Sequence, residues 1–368
     1  MSSPIRVLQI VPSLNQGSGV LQVAMNWHRH IDRSKVQFDY IHYIDPALTS
    51  EDEIERLGGK CYRLPYPSMI KPWIFIRAAA DFFKNHHYNT VHSHITHLNF
   101  FFYPLAKLNG TKNIIQHAHG TEWSDKRLNG IRNYLMMHSV WPLMTKKMAC
   151  SDLAGKYWYG KNYEVINNAV DLQKFRYDEA VRAKMRRNLG LENNFVIGHA
   201  GRFNLQKNHK FLIDIFEAVL KKESSARMIL AGSGPLQEET IKYAEGKRLS
   251  KYVSFLGVRP DMPQLFQAMD IMPMPSLYEG LPVCGIEAQA SGLPCVFADT
   301  ITKEVLLLES SSMIPLKSSA EEWAAEILKS KGKKRLDGTA ALQKAGFGIN
   351  EIAGRMQELY LSLERQNG

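Results

Sequence analysis

The chain has 368 residues, 45% of them hydrophobic and 22% charged, a composition typical of a globular protein that folds in water. One hydrophobic core rarely serves this length, so we expect two domains of roughly 170 residues each. No apolar run reaches the roughly 18 residues that cross a bilayer as a helix, which argues against an integral membrane protein. The opening stretch, MSSPIRVLQIVPSL, lacks a basic segment ahead of a long apolar core, so it predicts a first strand rather than a signal peptide.

The net charge of +10 is unevenly distributed along the chain. Residues 1–170 carry 19 Lys and Arg against 12 Asp and Glu (+7), and the remainder carries 27 against 24 (+3). A basic first half suits anionic lipid head groups, a diphosphate-linked acceptor or nucleic acid, or it is simply solvated surface. No base-reading motif is visible, so we expect no nucleic-acid partner. The four cysteines form no C-x-x-C pair, which fits reduced thiols in a cytoplasmic protein.

Short apolar runs alternate with helical stretches in both halves, a pattern that predicts an α/β fold with two doubly wound parallel sheets. The predicted strands are 5–11, 36–44, 60–64, 90–93, 113–117, 147–150 and 163–166 in the first half, and 195–199, 227–231, 253–256, 270–274 and 294–298 in the second. The polar, charged segment 170–194 marks the junction. We therefore predict domains at 1–175 and 176–347, followed by a helical C-terminal stretch at 348–368.

Ligands of open parallel sheets bind beyond the carboxyl ends of the strands, which directs attention to the loop after the first strand. This loop, NQGSGV, holds Gly17 and Gly19, where backbone can approach a ligand before the helix from Leu21. The spacing is not G-x-G-x-x-G, and no acidic residue closes the next strand in the dinucleotide-binding pattern. A dehydrogenase is therefore disfavoured. The alternative for the loop is a plain tight turn.

Eleven of the thirteen histidines lie in the first half. His92 and His94 alternate at the end of one predicted strand, and His117 and His119 do the same at the end of another, in IIQHAHG. Such pairs are compatible with a metal site, but no carboxylate or cysteine lies at ligand spacing beside either pair. We therefore expect no metal, and we expect most of these histidines to pack or to cap loops.

Two stretches of the first half mix aromatic and basic residues, KPWIFIRAAADFFK at 71–84 and HLNFFFYPLAKL at 97–108. Such helices can enter a membrane interface. Each stretch also supplies an ordinary apolar face, and burial as an amphipathic core helix is the favoured interpretation.

The most informative stretch is PMPSLYEGLPVCGIEAQASGLP at 273–294. Pro282 is suited to open a helix, which would run through Glu287 and stop at Gly292. Glu279 then stands just before the helix N-terminus, with Glu287 eight residues later inside the helix. Free N–H groups of a helix N-terminus attract phosphate, and carboxylates accept hydrogen bonds from vicinal hydroxyls. A nucleotide sugar offers both groups, whereas the alternative is an ordinary loop-to-helix start.

Basic residues follow the first strand of the second half, where Arg202 and Lys207 lie in GRFNLQKN. An arginine can grip a diphosphate with two bonds, while a lysine acts as a point charge. Gly232 and Gly234 mark the next strand-end turn in AGSGP, where they could line a nucleotide pocket. Asp-x-Asp, which in other enzymes joins a metal to a nucleotide, is absent from the sequence.

The segment E-G-L-P-x-x-x-x-E-A resembles the E-x(7)-E signature of family 4 retaining glycosyltransferases. Further segments resemble the family in its own order: GRFNLQKNHKFL, ILAGSGPLQEE and VSFLGVRPDMPQLFQAMD. The resemblance covers nearly the whole chain. It is closest to capsule and exopolysaccharide enzymes, through MNWHRHIDRSKVQFDY and VINNAVDLQKF. It implies the GT-B fold, in which two Rossmann-like domains face each other across a cleft and the terminal helix packs back on the first domain.

The resemblance also implies roles for particular residues. In the first domain, which would bind the acceptor, His119 matches a strand-end histidine near the transferred sugar. Related enzymes commonly carry G-G-x-E in the first loop, whereas this chain has Gly17-Ser18-Gly19-Val20 and lacks the acidic end. The second domain would bind the nucleotide sugar, with these roles: Arg202 and Lys207 on the diphosphate, Gly232 in the nucleotide pocket, Val258 and Arg259 as backbone contacts to the base, Gly280, Leu281 and Pro282 at the helix start, Glu279 on the sugar and Glu287 on the ribose.

The implied activity is retaining, metal-independent transfer of a hexosyl unit from a nucleotide sugar, with a UDP-sugar favoured. The acceptor would be a glycan or a polyprenyl-diphosphate-linked glycan in surface polysaccharide biosynthesis. The enzyme would need no cofactor and would be cytoplasmic, with peripheral contact at the inner face of the membrane. The alternatives are a nucleotide-sugar 2-epimerase of the same fold and a non-catalytic GT-B partner subunit.

Overall fold

The computed structural model describes residues 3–45, 48–68, 70–124 and 127–366. The chain forms two compact units, Met1–Asn167 with Ile349–Gly368, and Asn168–Gly348. The boundary falls at Asn167, eight residues before the position expected from the sequence. The reason is local: the Val170 amide donates to the Phe347 carbonyl, and the Phe175 ring lies against Phe266. These contacts tie the junction segment to the second unit.

The first unit is built on a parallel sheet with strand order β3-β2-β1-β4-β5-β6-β7. Its strands are β1 (Ile5–Ile10), β2 (Val36–His42), β3 (Cys61–Arg63), β4 (Thr90–Ser93), β5 (Asn113–Ala118), β6 (Lys146–Ala149) and β7 (Glu164–Val165). The order reverses beside β1, which pairs with β2 on one side and β4 on the other. This reversal is where ligands of open parallel sheets usually bind.

Helices cover both faces of this sheet. They are α1 (Gly19–His30), α2 (Glu51–Arg56), α3 (Pro72–Asn85), α4 (Asn99–Leu108), α5 (Arg127–Ser139), α6 (Asp152–Tyr159) and, from the end of the chain, α15 (Ile349–Arg365). Helix α15 contacts α1, β1, β2 and β4. It does so through the apolar stripe predicted by its helical periodicity, which buries Ile352, Met356 and Tyr360.

The second unit carries six strands and eight helices among the described residues. The strands are β8 (Phe195–Ala200), β9 (Ala226–Ala231), β10 (Val253–Gly257), β11 (Met272–Met274), β12 (Cys295–Ala298) and β13 (Ser312–Ile314). The helices are α7 (Leu172–Phe175), α8 (Glu179–Leu189), α9 (His209–Lys222), α10 (Gln237–Gly246), α11 (Met262–Ala268), α12 (Val283–Ala290), α13 (Ala320–Leu328) and α14 (Thr339–Lys344).

These six strands form two parallel ladders, β10-β9-β8 and β11-β12-β13. Backbone hydrogen bonds join the ladders where Gly198 donates to Ile271 at 3.0 Å and Asp270 donates to Val196 at 2.7 Å. Strand β8 therefore lies beside β11, and the loops that follow these two strands emerge at the same edge. The core beneath them is apolar, with Phe203, Phe216 and Trp323 fully buried.

The structure confirms the strands predicted from sequence to within two residues at each end, because buried parallel strands are continuous apolar runs. Strand β13 was missed, since Ser-Met-Ile is short and only partly buried. The aromatic stretches form α3 and α4, which bury Phe75 and Phe102 as expected for core helices. No described helix is long and apolar enough to cross a membrane.

Candidate functional site

The loop after β8 is fixed by capping and cross-loop hydrogen bonds. A short 3-10 turn, Leu205–Lys207, begins at Asn204, whose side chain accepts a hydrogen bond from the Lys207 amide. The Gln206 side chain donates to the Tyr278 carbonyl at 3.0 Å, and the Gln206 carbonyl accepts from the Leu277 amide at 2.8 Å. The β8 loop and the loop that carries Glu279 are therefore held together.

These contacts bring two residues predicted separately into one ion pair. Lys207 Nζ lies 2.5 Å from Glu279 Oε1, and their side chains are only 12% and 10% exposed. Burial lowers the pKa of Lys207, but the Glu279 carboxylate raises it by more, so the net direction is upward and the lysine is charged.

Glycines allow the loops beneath this pair to approach closely. A Cβ on Gly232 would lie 2.0 Å from the Gly201 carbonyl oxygen, and Gly232 also has a φ of +134°. A Cβ on Gly234 would lie 2.4 Å from the Phe203 carbonyl oxygen. Both positions therefore require glycine for backbone packing between the β8 and β9 loops, whatever ligand they line.

Helix α12 begins beside Glu279, with Pro282 as its N-cap residue rather than its first helical residue. The buried Asn168 donates to the Leu281 carbonyl at 2.7 Å and so fixes the backbone that enters the helix. Glu287 lies in the middle of α12 and is half-buried. The structure thus places Glu279 in the loop that precedes α12 and Glu287 inside the helix.

The neighbouring arginines differ in their contacts. Arg202 is exposed, and among the described residues its guanidinium has no ion-pair partner or side-chain hydrogen bond. Arg259 makes a two-bond ion pair with Asp261, at 2.8 and 2.6 Å, which occupies its side chain. The Arg259 side chain is thus engaged within the protein, and the backbone contact of Val258 and Arg259 with the base stays a prediction.

In the first unit, four histidines form a stack of aromatic rings. Centroids are 4.5 Å apart for His92 and His94, 4.4 Å for His117 and His119, and 5.1 Å for His94 and His119. Trp27 stacks on His92 and His117, each at 5.6 Å. Burial lowers the pKa of His119 to about 3 and holds the pKa values of the other three well below 6.5, so the stack is neutral near pH 7.

This stack is poorly arranged for a metal ion. Nitrogens of His92, His94 and His117 lie within 4.8 Å of one another, which brings three possible ligands together. A metal must lie in the plane of each ring that binds it, however, and these rings are inclined to one another by only 12–24°. Nearly parallel stacked planes do not meet at a common point beside the rings.

Comparison with known proteins identifies the family. Residues 194–330 match the family described as Glycosyl transferases group 1. The chain is 30% identical to EpsF of Bacillus subtilis (strain 168), a protein named as a glycosyltransferase, over 100% of this chain and 99% of EpsF. The chain belongs to the group 1 glycosyltransferases. It is also 24% identical to CapH of Staphylococcus aureus, a capsular polysaccharide biosynthesis glycosyltransferase, over 97% of this chain and 99% of CapH.

Solved structures agree at the level of the fold. HepE of Anabaena, crystallised with UDP and glucose, has a TM-score of 0.80 at 20% identity and covers 97% of this chain and 100% of its own. WaaG, a glycosyltransferase involved in lipopolysaccharide biosynthesis, has a TM-score of 0.74 at 12% identity and covers 96% and 99%. Together with the parallel sheets, these matches confirm the predicted GT-B fold class.

In this group 1 glycosyltransferase, the loop after β1, which contains Gly17 and Gly19, leads directly into the N-terminus of α1. Gly17 lies before α1 and its amide donates to the Asn15 side chain at 2.9 Å. Ser18 is the N-cap, and its hydroxyl accepts from the Leu21 amide at 3.4 Å. A Cβ on Gly19 would meet no described atom within 4 Å, so this glycine leaves open space rather than relieving a clash.

Three residues beside the histidine stack and beside the Lys207–Glu279 pair of this glycosyltransferase were not predicted from the sequence. His199 is buried at the end of β8, its Nδ1 donates to the Pro273 carbonyl at 2.9 Å, and burial with nearby Lys207 lowers its pKa to about 4. Gln9 and Tyr360 bond the histidine stack of the first unit. A polar Gln9 within the apolar run IRVLQIV indicates a buried hydrogen bond, whereas nothing in the sequence links Tyr360 to the stack.

Proposed function

We propose that this chain is a retaining, metal-independent hexosyltransferase that uses a UDP-sugar. Its acceptor would be a glycan or a polyprenyl-diphosphate-linked glycan in capsule or exopolysaccharide biosynthesis. The names of CapH and of a relative from Escherichia coli support this acceptor class. The latter, UDP-Gal:alpha-D-GlcNAc-diphosphoundecaprenol alpha-1,3-galactosyltransferase, is 26% identical over 63% of this chain. The UDP bound to HepE supports the nucleotide.

The observation that carries the proposal is the buried pair of Lys207 and Glu279 beside the start of α12. It offers an ammonium for phosphate oxygens and a carboxylate for sugar hydroxyls within one contact distance. Arg202 adds a guanidinium without a protein partner among the described residues, and the α12 N-terminus adds the positive end of the helix dipole. Phosphate and hydroxyl groups are adjacent in a nucleotide sugar, which matches this arrangement of charges.

The proposed chemistry follows the developing charge. As the anomeric C–O bond breaks, the diphosphate gains negative charge, which Arg202, Lys207 and the α12 amides would stabilise without a metal. Glu279 would accept hydrogen bonds from hydroxyls of the sugar, and Glu287 would accept them from the ribose. Retention would arise from attack on the leaving-group face, with the leaving phosphate taking the acceptor's proton. His119 would hydrogen-bond the transferred sugar or its acceptor.

The test is release of UDP from UDP-glucose, UDP-galactose or UDP-N-acetylglucosamine with a synthetic polyprenyl-diphosphate glycan, in EDTA. Acceptor-dependent UDP release and a retained anomeric configuration are expected. A strict need for Mg²⁺ or Mn²⁺ would contradict the cationic account of the leaving group. An epimerase would instead change the sugar without an acceptor, and a non-catalytic subunit would bind UDP without turnover.

We further propose peripheral contact with anionic membranes through α5. Leu128, Ile131 and Leu135 recur at helical spacing and are 82%, 53% and 62% exposed, and Arg132 lies among them. Exposed apolar side chains beside basic ones are typical of interfacial helices. Such a helix would bring the enzyme to a lipid-linked acceptor.

Vesicle sedimentation tests this contact. Binding to phosphatidylglycerol vesicles is expected to fall when salt is raised, since exposed charges are screened over about 8 Å at physiological ionic strength. The variant L128S/L135S should bind several-fold more weakly. The control L336S changes an exposed leucine of the second unit and should bind normally. Equal binding by both variants would remove α5 from the proposal.

A further inference from the structure

A chain of buried hydrogen bonds leads from the first strand to His119. Gln9 lies in β1, His94 directly follows β4, and His119 directly follows β5. His94 Nδ1 is 2.8 Å from His119 Nε2, and His94 Nε2 is 2.9 Å from Gln9 Oε1. Gln9 is fully buried and His94 is 5% exposed, so bulk water does not compete for the bond between them. His94 therefore has both ring nitrogens engaged by protein groups.

The direction of each bond follows from the oxygen at the start of the chain. An amide oxygen has no hydrogen to donate, so His94 Nε2 must carry the hydrogen and donate it to Gln9. A neutral imidazole carries only one N–H, which leaves His94 Nδ1 as an acceptor. His119 must then donate its Nε2–H to His94, and its own Nδ1 is left with a lone pair. Burial lowers the pKa of both rings, so each is neutral near pH 7 and carries a single N–H.

The other side of the Gln9 amide faces Tyr360, which lies near the end of the protein chain. Gln9 Nε2 faces the Tyr360 hydroxyl at 3.5 Å, and the Tyr360 oxygen is 2.7 Å from His92 Nδ1. Tyr360 can accept from the Gln9 amide and donate its proton to His92. The amide nitrogen then points to Tyr360 in α15 and the amide oxygen to His94.

We propose that Gln9 and His94 are positioning residues that hold His119 as the Nε2–H tautomer. This inference rests on the proposed function, in which His119 contacts a sugar. Among the described residues, nothing bonds His119 Nδ1, and the ring is only half-buried, whereas the Trp158 indole donates to the Gly120 carbonyl at 2.8 Å and fixes the backbone behind it. His119 Nδ1 therefore presents a fixed acceptor.

A fixed acceptor selects one class of sugar substituent. A hydroxyl can donate to the Nδ1 lone pair, whereas a carboxylate, a carbonyl oxygen or a fluorine brings a second acceptor and no hydrogen. An unmatched polar group at such a contact weakens binding, because both partners lose water without gaining a bond. The substrate class is thus a neutral hexose with a free hydroxyl at this position, rather than a uronic acid.

The tautomer can be read directly in the free protein, without turnover. The intact chain is labelled with ¹⁵N-histidine, and the His119 signals in a long-range ¹H–¹⁵N spectrum are identified by their loss in His119→Gln. A protonated Nε2 and an unprotonated Nδ1 are expected. A protonated Nδ1 would overturn the inference.

Variants then separate a positioning role from a packing role. His94→Phe keeps an aromatic ring in the stack but removes the acceptor, so His119 should show mixed tautomers and kcat/KM with UDP-glucose or UDP-galactose should fall about tenfold. His94→Asn places an amide oxygen near the former Nδ1 and should restore both the tautomer and most of the rate. The matched control is His117→Phe, which alters a ring 4.4 Å from His119 whose two nitrogens make no hydrogen bond among the described residues, and it should change neither.

The outcomes distinguish this inference from the proposed function. Loss of rate in His94→Phe with an unchanged His119 tautomer would overturn the positioning role. A fixed Nε2–H tautomer with full turnover in His119→Gln would instead overturn the proposed sugar contact. A panel of UDP-deoxyfluorohexoses adds an independent measure. One fluorinated position should bind about tenfold more weakly to the native protein, and this penalty should disappear in His119→Gln.

Discussion

The two units place polar side chains at the carboxyl ends of parallel strands in electrostatically opposite ways. The first unit stacks four neutral histidines, of which His94 donates to the Gln9 side chain and His92 bonds the Tyr360 hydroxyl. The second unit buries a full positive charge against a full negative one, Lys207 against Glu279.

This difference implies that the two clusters select different chemical groups of a ligand. Neutral rings cannot attract an anion over distance, but a fixed tautomer distinguishes a donor from an acceptor at one atom. A buried ion pair attracts charge strongly, yet its members depend on each other, since an unpaired charge in the interior is costly. We expect the histidine stack to favour a hydroxyl that donates a hydrogen bond, and the Lys207–Glu279 pair to bind and stabilise phosphate.

The largest expected effect is a loss of folding stability at acidic pH, caused by the buried histidines. His92, His94 and His117 have pKa values held well below 6.5, and that of His119 is lowered to about 3, in each case by burial first. The unfolded chain takes up these protons below pH 6.5 while the folded protein does not. The free energy of unfolding is therefore unaffected by these histidines above pH 6.5, and it decreases as the pH falls from 6.5 toward their pKa values in the folded protein. Each histidine costs about 1.4 kcal/mol per pH unit in that window.

Urea unfolding at pH 7 and pH 5 should thus show a loss of several kcal/mol. In His92→Phe, which has one titrating ring fewer, the free energy of unfolding should vary less with pH, by about 1.4 kcal/mol per unit. Identical pH dependence in the native protein and this variant would show that the stack is not neutral when folded.

The second prediction breaks the charged pair. Lys207→Met leaves the Glu279 carboxylate buried without its partner, and the free energy of unfolding should fall by about 3 kcal/mol. The double variant Lys207→Met/Glu279→Gln removes both charges and should recover most of that loss. Thermal or urea unfolding at pH 7 measures both. If the double variant is as unstable as the single one, the two side chains are not energetically coupled.

The third prediction uses the exposed cation of the same loop, which can be changed without burying a charge. Arg202→Ala should fold normally but lose about 3 kcal/mol of transition-state stabilisation, roughly a hundredfold in kcat at saturating UDP-sugar. Arg202→Lys should also be impaired, because a point charge cannot make two parallel bonds. The control is Lys210→Ala, an exposed lysine paired with Glu239. Near-native kcat in Arg202→Ala would mean that the loop does not hold the leaving group.

The smallest expected effect separates the two glutamates. Glu287→Gln should weaken UDP binding about tenfold, the cost of one charged hydrogen bond to the ribose. Glu279→Gln should alter UDP binding less, since the sugar is absent from UDP, although it also unbalances Lys207. Isothermal titration with UDP measures both affinities, and equal losses would contradict the assigned division of roles.

The sequence predicted the fold well because buried parallel strands leave continuous apolar runs, as IRVLQIV does for β1. It also named Lys207 and Glu279, but not their contact. That pairing depends on β8 lying beside β11 and on the cross-loop bonds of Gln206. In the first unit, the histidine spacing was visible while its use was not. Whether such rings bind metal or stack depends on ring planes, which no spacing encodes.

The bond between Gln9 and Tyr360 joins residues 351 positions apart, and this separation orders events during synthesis. The first unit's sheet can assemble on the ribosome, but its histidine stack lacks Tyr360 until α15 has been translated. The second unit, Asn168–Gly348, emerges completely before that helix does. The interrupted unit is therefore the last to finish, and a chain cut before Ile349 would keep Arg202 and Lys207 while leaving the Gln9 amide without the partner that orients it.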